Sequence, residues 1–189
     1  MQFKYRHHKR RYRKTDARYI PDRVSNHARP PEADGKRFGD WEMDLIIGKE
    51  QKSAILTLCD RSVNYLIMMP LPGKGKNPRE VALAAIEALL PYKRYVKTIT
   101  TDNGLEFTAH KIIAKKPDTT VYFADSYASW QKGAIENANK LIRQYIPKGT
   151  DFRTMSEQYI KNIQYKLNER PRKKLNFSNP KTEFFNLLL

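Results

Sequence analysis

The chain lacks the features that would tie it to an oxidising compartment or a membrane. Its 189 residues include a single cysteine, Cys59, so neither an intrachain disulfide nor a multi-thiolate zinc site can form. Cys59 lies in the apolar run AILTLC, where a buried structural thiol is expected. No apolar stretch approaches the roughly 18 residues of a membrane span. The first residues, MQFKYRHHKRRYRK, have no apolar core of the kind a secretory signal needs. Internal repeats and low-complexity segments are also absent. A reducing, cytoplasmic setting without a membrane partner is the expectation. Acid is scarce as well: 20 Asp and Glu stand against 36 Lys and Arg, a net charge of +16. Such an excess favours a polyanion, because Lys and Arg that neutralise phosphates release condensed counterions. Nucleic acid is the expected partner.

What is present suffices for one domain with a packed interior: 40% of residues are hydrophobic and 11% aromatic. Half of the net charge lies in residues 1–37, which hold 12 basic and four acidic side chains, with prolines at 21, 30 and 31. This segment reads as an extended basic arm or linker lying against a partner or the domain surface; a solubilising tail is the plainer alternative. Residues 38–189 are expected to form the core.

DWEMDLIIG alternates, with Trp41, Met43, Leu45 and Ile47 on one face and Asp40, Glu42, Asp44 and Ile46 on the other. This period of two is a strand signature. SAILTLCDR and NYLIMMPL follow as strand-like runs, so three strands can form an antiparallel meander. PREVALAAIEALLPY has helical spacing between two prolines. KTITT then predicts a strand ending at Asp102, FTAHKIIAKK a short helix, and TTVYFA a fifth strand. AIENANKLIRQYI, TMSEQYIKNIQYKLNER and NPKTEFFNLLL predict three C-terminal helices. The order implies an α/β domain with a mixed five-stranded sheet flanked by helices, as in the ribonuclease-H-like fold. Fold alone assigns no chemistry.

Three acids stand at telling positions: Asp44 midway along the first strand, Asp102 at the end of the fourth, and Glu136 in the helix after the fifth. If the first and fourth strands are neighbours, their aspartates face one another and the helix brings the glutamate over the same edge. Phosphodiester cleavage is helped by two hard cations at the attacking and leaving oxygens, and Mg²⁺ takes carboxylate oxygens. Each acid also has an ordinary reading. Asp40 and Glu42 share the face of Asp44, TDNG is a common turn, and Glu136 could be an exposed helical charge.

The blocks GDWEMDLIIG, TTDNGLEF, YFADSYASWQKGAIENANKLIRQYIPKGTDF and LNERPRKKLNFSNPKTEFF resemble the catalytic region of bacterial transposases of the insertion sequence 30 family. The resemblance runs from about Arg23 to the C-terminus. It implies that Asp44, in WEMDLI, is the family's first aspartate, Asp102 its second and Glu136 its glutamate. It also implies a Mg²⁺- or Mn²⁺-dependent enzyme that cuts DNA and joins the freed 3′-hydroxyl to a target strand. Asp44 and Asp102 would bind or bridge two ions and Glu136 complete one shell. Active complexes of this kind are multimers on paired element ends, so a homo-oligomer is expected. Transposases of this family carry an upstream helix-turn-helix region, and nothing before Arg23 is long or apolar enough to be one. A fragment, a truncated product or a derived protein is therefore expected.

Around the acids, Asn139 and Lys140 follow Glu136 at helical offsets of three and four. Arg143 lies two turns on, and the resemblance implies that it contacts DNA ends. The alternative is a Glu136–Lys140 surface pair. Trp130 could stack on an unpaired base with Gln131 reading an edge, or serve as core. Arg170, Arg172 and Lys173, after Asn168, form a candidate phosphate-contacting turn or a solvated one. His110 is not expected to be catalytic. The rival functions are a hydrolytic nuclease of the same fold and a non-catalytic DNA-binding protein derived from a transposase.

Overall fold

A computed structural model describes residues 20–73, 76–126 and 128–189. Residues 1–19, which contain most of the expected basic arm, lie outside the described residues.

Among the described residues six strands form one mixed sheet: β1 (Val24–Ser25), β2 (Asp40–Ile47), β3 (Ala54–Asp60), β4 (Leu66–Pro70), β5 (Thr98–Thr101) and β6 (Thr120–Phe123). Their spatial order is β1-β6-β5-β2-β3-β4. β2, β3 and β4 form the expected antiparallel meander. β1, β6, β5 and β2 run parallel to one another, and β5 lies directly beside β2. One strand was not foreseen. Val24–Ser25 pairs with β6 at Tyr122 and Phe123, and two residues are too short to show any alternation.

The helices are α1 (Pro78–Leu89), α2 (His110–Lys115), α3 (Gly133–Tyr145), α4 (Glu157–Glu169) and α5 (Pro180–Asn186). The period of two in β2 sends its side chains into two separate cores. Trp41 and Met43, with Leu56 and Leu58 of β3 and Ile99 of β5, pack against Val81, Ala85 and Leu89 of α1 and Phe184 of α5. Ile46, with Ile55 and Cys59 of β3 and Met68 of β4, packs against Ile135 and Ile142 of α3 and Ile160, Ile163 and Leu167 of α4. Burial pushes the Cys59 thiol well above its ordinary pKa, as expected of an inert structural cysteine.

Local chemistry fixes the element ends. Asn77, Ser156 and Asn179 accept backbone N–H groups at the starts of α1, α4 and α5, and Pro78 and Pro180 occupy first-turn positions. The turn into β2 requires glycine: Gly39 has φ of +90°, and a Cβ there would lie 1.8 Å from the Tyr95 carbonyl oxygen. At the β4 edge, carboxamides of α4 take the place of another strand. Asn168 accepts from the Leu66 N–H and donates to the Leu66 carbonyl, both at 2.8 Å, and Gln164 accepts from the Met68 N–H at 2.7 Å. A sheet edge left open is a template for unwanted pairing, and covering it removes that hazard. Asn168 is thus buried and does not reach the basic turn that follows it. Asn168→Ala would leave a buried backbone donor and acceptor without partners and is expected to cost about 2 kcal/mol in denaturant unfolding.

Candidate active site

Three acids alternate along one face of β2, and packing gives each a different set of partners. Asp40 is buried, takes a two-pronged ion pair from Arg37 at 2.7 and 2.9 Å, and accepts from the Thr98 hydroxyl at 2.6 Å. Glu42 is buried too. It pairs with Arg61 at 2.9 Å and accepts the Ile135 N–H at 2.8 Å in the first turn of α3. That bond matters because α3 has no side-chain cap from its own sequence. The free N–H groups and positive end of the helix are met instead by a carboxylate from the sheet. Burial pushes the Glu42 carboxyl above its usual range, with the α3 amide and Arg61 acting in the opposite direction.

Of the three, only Asp44 opens into the pocket that Asp102 and Glu136 share. The cavity, about 250 Å³, is lined by Asp44, Asp102, Asp125, Lys132 and Glu136. Asp102 follows β5 directly and is fixed by accepting the Gly104 N–H at 2.9 Å. Glu136 lies in the first turn of α3. No Glu136–Lys140 ion pair forms among the described residues. Asn139 is turned inward: its amide donates to Asp44 Oδ2 at 2.8 Å, and its carbonyl accepts from the Thr57 hydroxyl at 3.1 Å. Asp125 forms the far wall, tied to Gln131 by two hydrogen bonds and to His27 at 2.7 Å.

Sequence reasoning missed Lys132. Only 5% exposed, its ammonium lies 3.5 Å from Asp44 Oδ1 and 3.4 Å from Asp102 Oδ2. A lysine in the polar stretch WQKG carries no periodic signal of burial. Burial pushes the Asp44 carboxyl up, Lys132 pulls it down, and the like charge of Asp102 pushes it up again.

The donor set suits a hard divalent cation, since Asp44, Asp102 and Glu136 line one pocket together with a fourth carboxylate, Asp125, that is already bonded to Gln131 and His27. A positive group already lies between Asp44 and Asp102, in the form of the Lys132 ammonium. The carboxylates are not drawn into a closed ligand cluster: among the described residues no group of three His, Cys, Asp or Glu side chains is close enough to hold a metal ion.

The remaining candidates spread around this centre. Trp130 is 77% exposed in a 3-10 turn before α3, so it is not a core residue. Both ends of the Gln131 carboxamide are occupied by Asp125. Lys140 is exposed. Arg143 bends toward the C-terminal end of α3, donating to the carbonyls of Ile47, Pro147 and Ile146 at 3.0, 3.3 and 3.5 Å. It lies 6.0 Å from the Phe152 ring centroid and does not line the carboxylate pocket. Arg170 and Lys173 are exposed, whereas Arg172 is partly buried and donates to the Leu167 carbonyl at 3.0 Å. His110 is buried edge-on to Phe123.

Two outcomes test this electrostatic layout. In metal-free protein, Lys132→Met is expected to raise the Asp44 pKa further and Asp102→Asn to lower it, read from carboxyl-carbon NMR titrations. A shift of opposite sign in either variant would contradict the arrangement. Glu42→Ala strands the part-buried Arg61 guanidinium, and denaturant unfolding should show a loss of about 3–5 kcal/mol.

No family model matches the chain. Curated transposases do. The transposase for insertion sequence element IS4351 of Bacteroides fragilis is 46% identical over 181 residues, 93% of this chain and 55% of that protein. The transposase for IS1086 of Cupriavidus metallidurans is 38% identical over 173 residues, 90% and 50% of the two chains. Transposase InsI of IS30A from Escherichia coli K12 is 38% identical over 156 residues, 82% and 40%. The chain thus spans about half the length of the curated relatives it matches. Among solved structures, the catalytic core domain of BIV integrase superposes with a TM-score of 0.60 at 19% identity, covering 79% of this chain and 95% of that one. Over the part it spans, the chain is similar in sequence to insertion-sequence transposases, InsI of IS30 among them, and it has the ribonuclease-H-like fold of an integrase catalytic core.

Proposed function

We propose that the chain is the catalytic core of a DNA transposase, a metal-dependent polynucleotidyl transferase that cleaves a DNA strand and joins its 3′-hydroxyl to a target phosphodiester. The observation that carries this reading is the meeting of Asp44, Asp102 and Glu136 at one pocket in a chain of net charge +16. A protein so basic attracts DNA over its whole surface. Acids facing a single cavity in such a field make sense when they hold cations against phosphate.

Asp44, Asp102 and Glu136 would hold Mg²⁺ or Mn²⁺. When bound, two such ions activate the attacking water or hydroxyl and stabilise the leaving oxygen. The other residues have their own work. Asn139 fixes the rotamer of Asp44 through Nδ2, and Thr57 fixes Asn139 in turn. Lys132 neutralises Asp44 and Asp102 and has a hydrogen-bonding ammonium to offer a phosphate oxygen. Lys140 and the exposed Arg170 and Lys173 supply phosphate contacts outside the pocket. Arg143 uses three of the five guanidinium N–H groups on backbone carbonyls, leaving two for DNA. Of the basic segment 1–37, Ile20 and the strand Val24–Ser25 already belong to the folded core, so the arm is assigned to the residues before them, and the working complex is a homo-oligomer on element ends and target. The setting is the cytoplasm; among the described residues no helix is long and apolar enough to cross a membrane.

Asp102→Asn should abolish Mg²⁺- or Mn²⁺-dependent nicking and joining of oligonucleotides while salt-sensitive DNA binding persists. A pure, folded variant that cut as fast as the parent would sink the assignment, and products cut but never joined would favour a hydrolytic nuclease. Removing residues 1–18 should weaken DNA binding and flatten its salt dependence without ending cleavage. Equal affinities across a salt series would remove the arm from the DNA surface.

A further inference from the structure

The first turn of α3 separates two cavities. On one side Lys132 and Glu136 face the carboxylate pocket. On the other, a larger open recess of about 440 Å³ is bounded by Trp130, Gly133, Asn137, Asn64, Lys36 and Lys174. The volume lies within the range of small-ligand sites.

The chemistry of this recess is specific. The indole of Trp130 is a large apolar surface left in water, where no packing need of the chain places it. Asn64 and Asn137 offer carboxamide edges with both donors and acceptors. Lys36 and Lys174 line the recess: the Lys36 ammonium lies 4.0 Å from the Asp34 carboxylate, which lines it too, and Lys174 is tethered at 2.6 Å to the Arg61 carbonyl. The Glu42 carboxylate on the recess wall is already paired with Arg61 and the α3 amide, so it does not repel an anion as a lone carboxylate would. A flat face, amide edges and flanking cations are the elements that hold a single-stranded nucleotide.

Gly133 gives an independent sign. It has an ordinary helical backbone as the first residue of α3, and a Cβ added there would meet nothing within 4 Å. The fold therefore does not need glycine at this place, and glycine weakens a helix relative to alanine. Its missing side chain leaves the recess wall bare, as close approach of a ligand to the backbone requires.

We propose that this recess binds one unpaired deoxynucleotide of the DNA strand, its base stacked on Trp130 and its phosphate held between Lys36 and Lys174. The inference rests on the DNA-transferase reading above and names a substrate feature of that site. A helix with side chains is about 10 Å across, and stacked nucleotides advance about 3.4 Å each along one strand. The unpaired nucleotide would then lie about three positions from the phosphate in the carboxylate pocket.

The test uses the full chain and two oligonucleotide duplexes, one blunt and one with a three-nucleotide single-stranded end carrying 2-aminopurine. In Ca²⁺, to hold the DNA uncut, the parent is expected to bind the overhang duplex at least fivefold tighter and to quench the probe. Trp130→Ala should bring the affinity ratio near one and abolish the quenching. Gly133→Ala should lower the ratio with a Tm equal to or above the parent's, which separates a filled recess from a damaged fold. Equal affinity of the parent for both duplexes, or a preference that survives in both variants, would overturn the recess while leaving the transferase reading in place. Failure to bind either duplex would overturn both.

Discussion

The contact on which the site depends is the one between the Glu42 carboxylate and the first turn of α3. β2 runs through the middle of the sheet, and α3 arrives only after a long polar segment with little apolar content of its own. Packing of Ile135 and Ile142 fixes which face of the helix meets the sheet. Directional bonding to β2, by the Ile135 N–H to Glu42, Asn139 to Asp44 and Arg143 to the Ile47 carbonyl, fixes its position along its axis. It sets Glu136 and Asn139 at the height of Asp44, two residues along the same strand. Arg61 keeps Glu42 from being an isolated buried charge, which would cost several kcal/mol. The geometry of the carboxylate pocket is therefore inherited from an ion pair that lies outside it.

Electrostatics then explains how acids gather in so basic a chain. Burial raises the pKa of Asp44, and repulsion from the nearby Asp102 carboxylate adds to it. Lys132 relieves this by standing between Asp44 and Asp102. A divalent cation would take over the same task with greater charge. The ammonium and a cation would compete for the same oxygens.

Much of this was legible in the sequence, for identifiable reasons. The alternation of β2 is readable because both faces of the strand are packed, one by large apolar side chains and the other by acids with dedicated partners. The adjacency of β2 and β5 followed from the element order, and the structure has it. Which of Asp40, Glu42 and Asp44 faces the pocket could not be read from a period of two, since all three share a face. Their fates depend on Arg37, Arg61 and Lys132, whose positions are tertiary. β1 was illegible because two residues have no period. Arg143 has the helical offset expected of a neighbour of Glu136, yet it lies in the last turn, where free carbonyls attract a guanidinium.

The placement of two cavities on either side of one helical turn has a mechanical consequence. A helix start is among the stiffer places to mount functional groups, provided its amides are satisfied, and here Glu42 satisfies one from the sheet. Side chains on successive residues point about 100° apart, so a single turn can present Glu136 to one cavity and Asn137 to the other without a change in backbone. A strand engaged on both sides would be gripped at a fixed separation, and any error in the number of unpaired nucleotides would misplace the scissile phosphate. Positioning of this kind acts through entropy: the strand's freedom is lost on binding rather than at the transition state. The exposed indole, the bare glycine and the buried lysine are each costly by the standards of a stable fold. Their cost is intelligible if the free protein is one half of a complex whose other half is DNA.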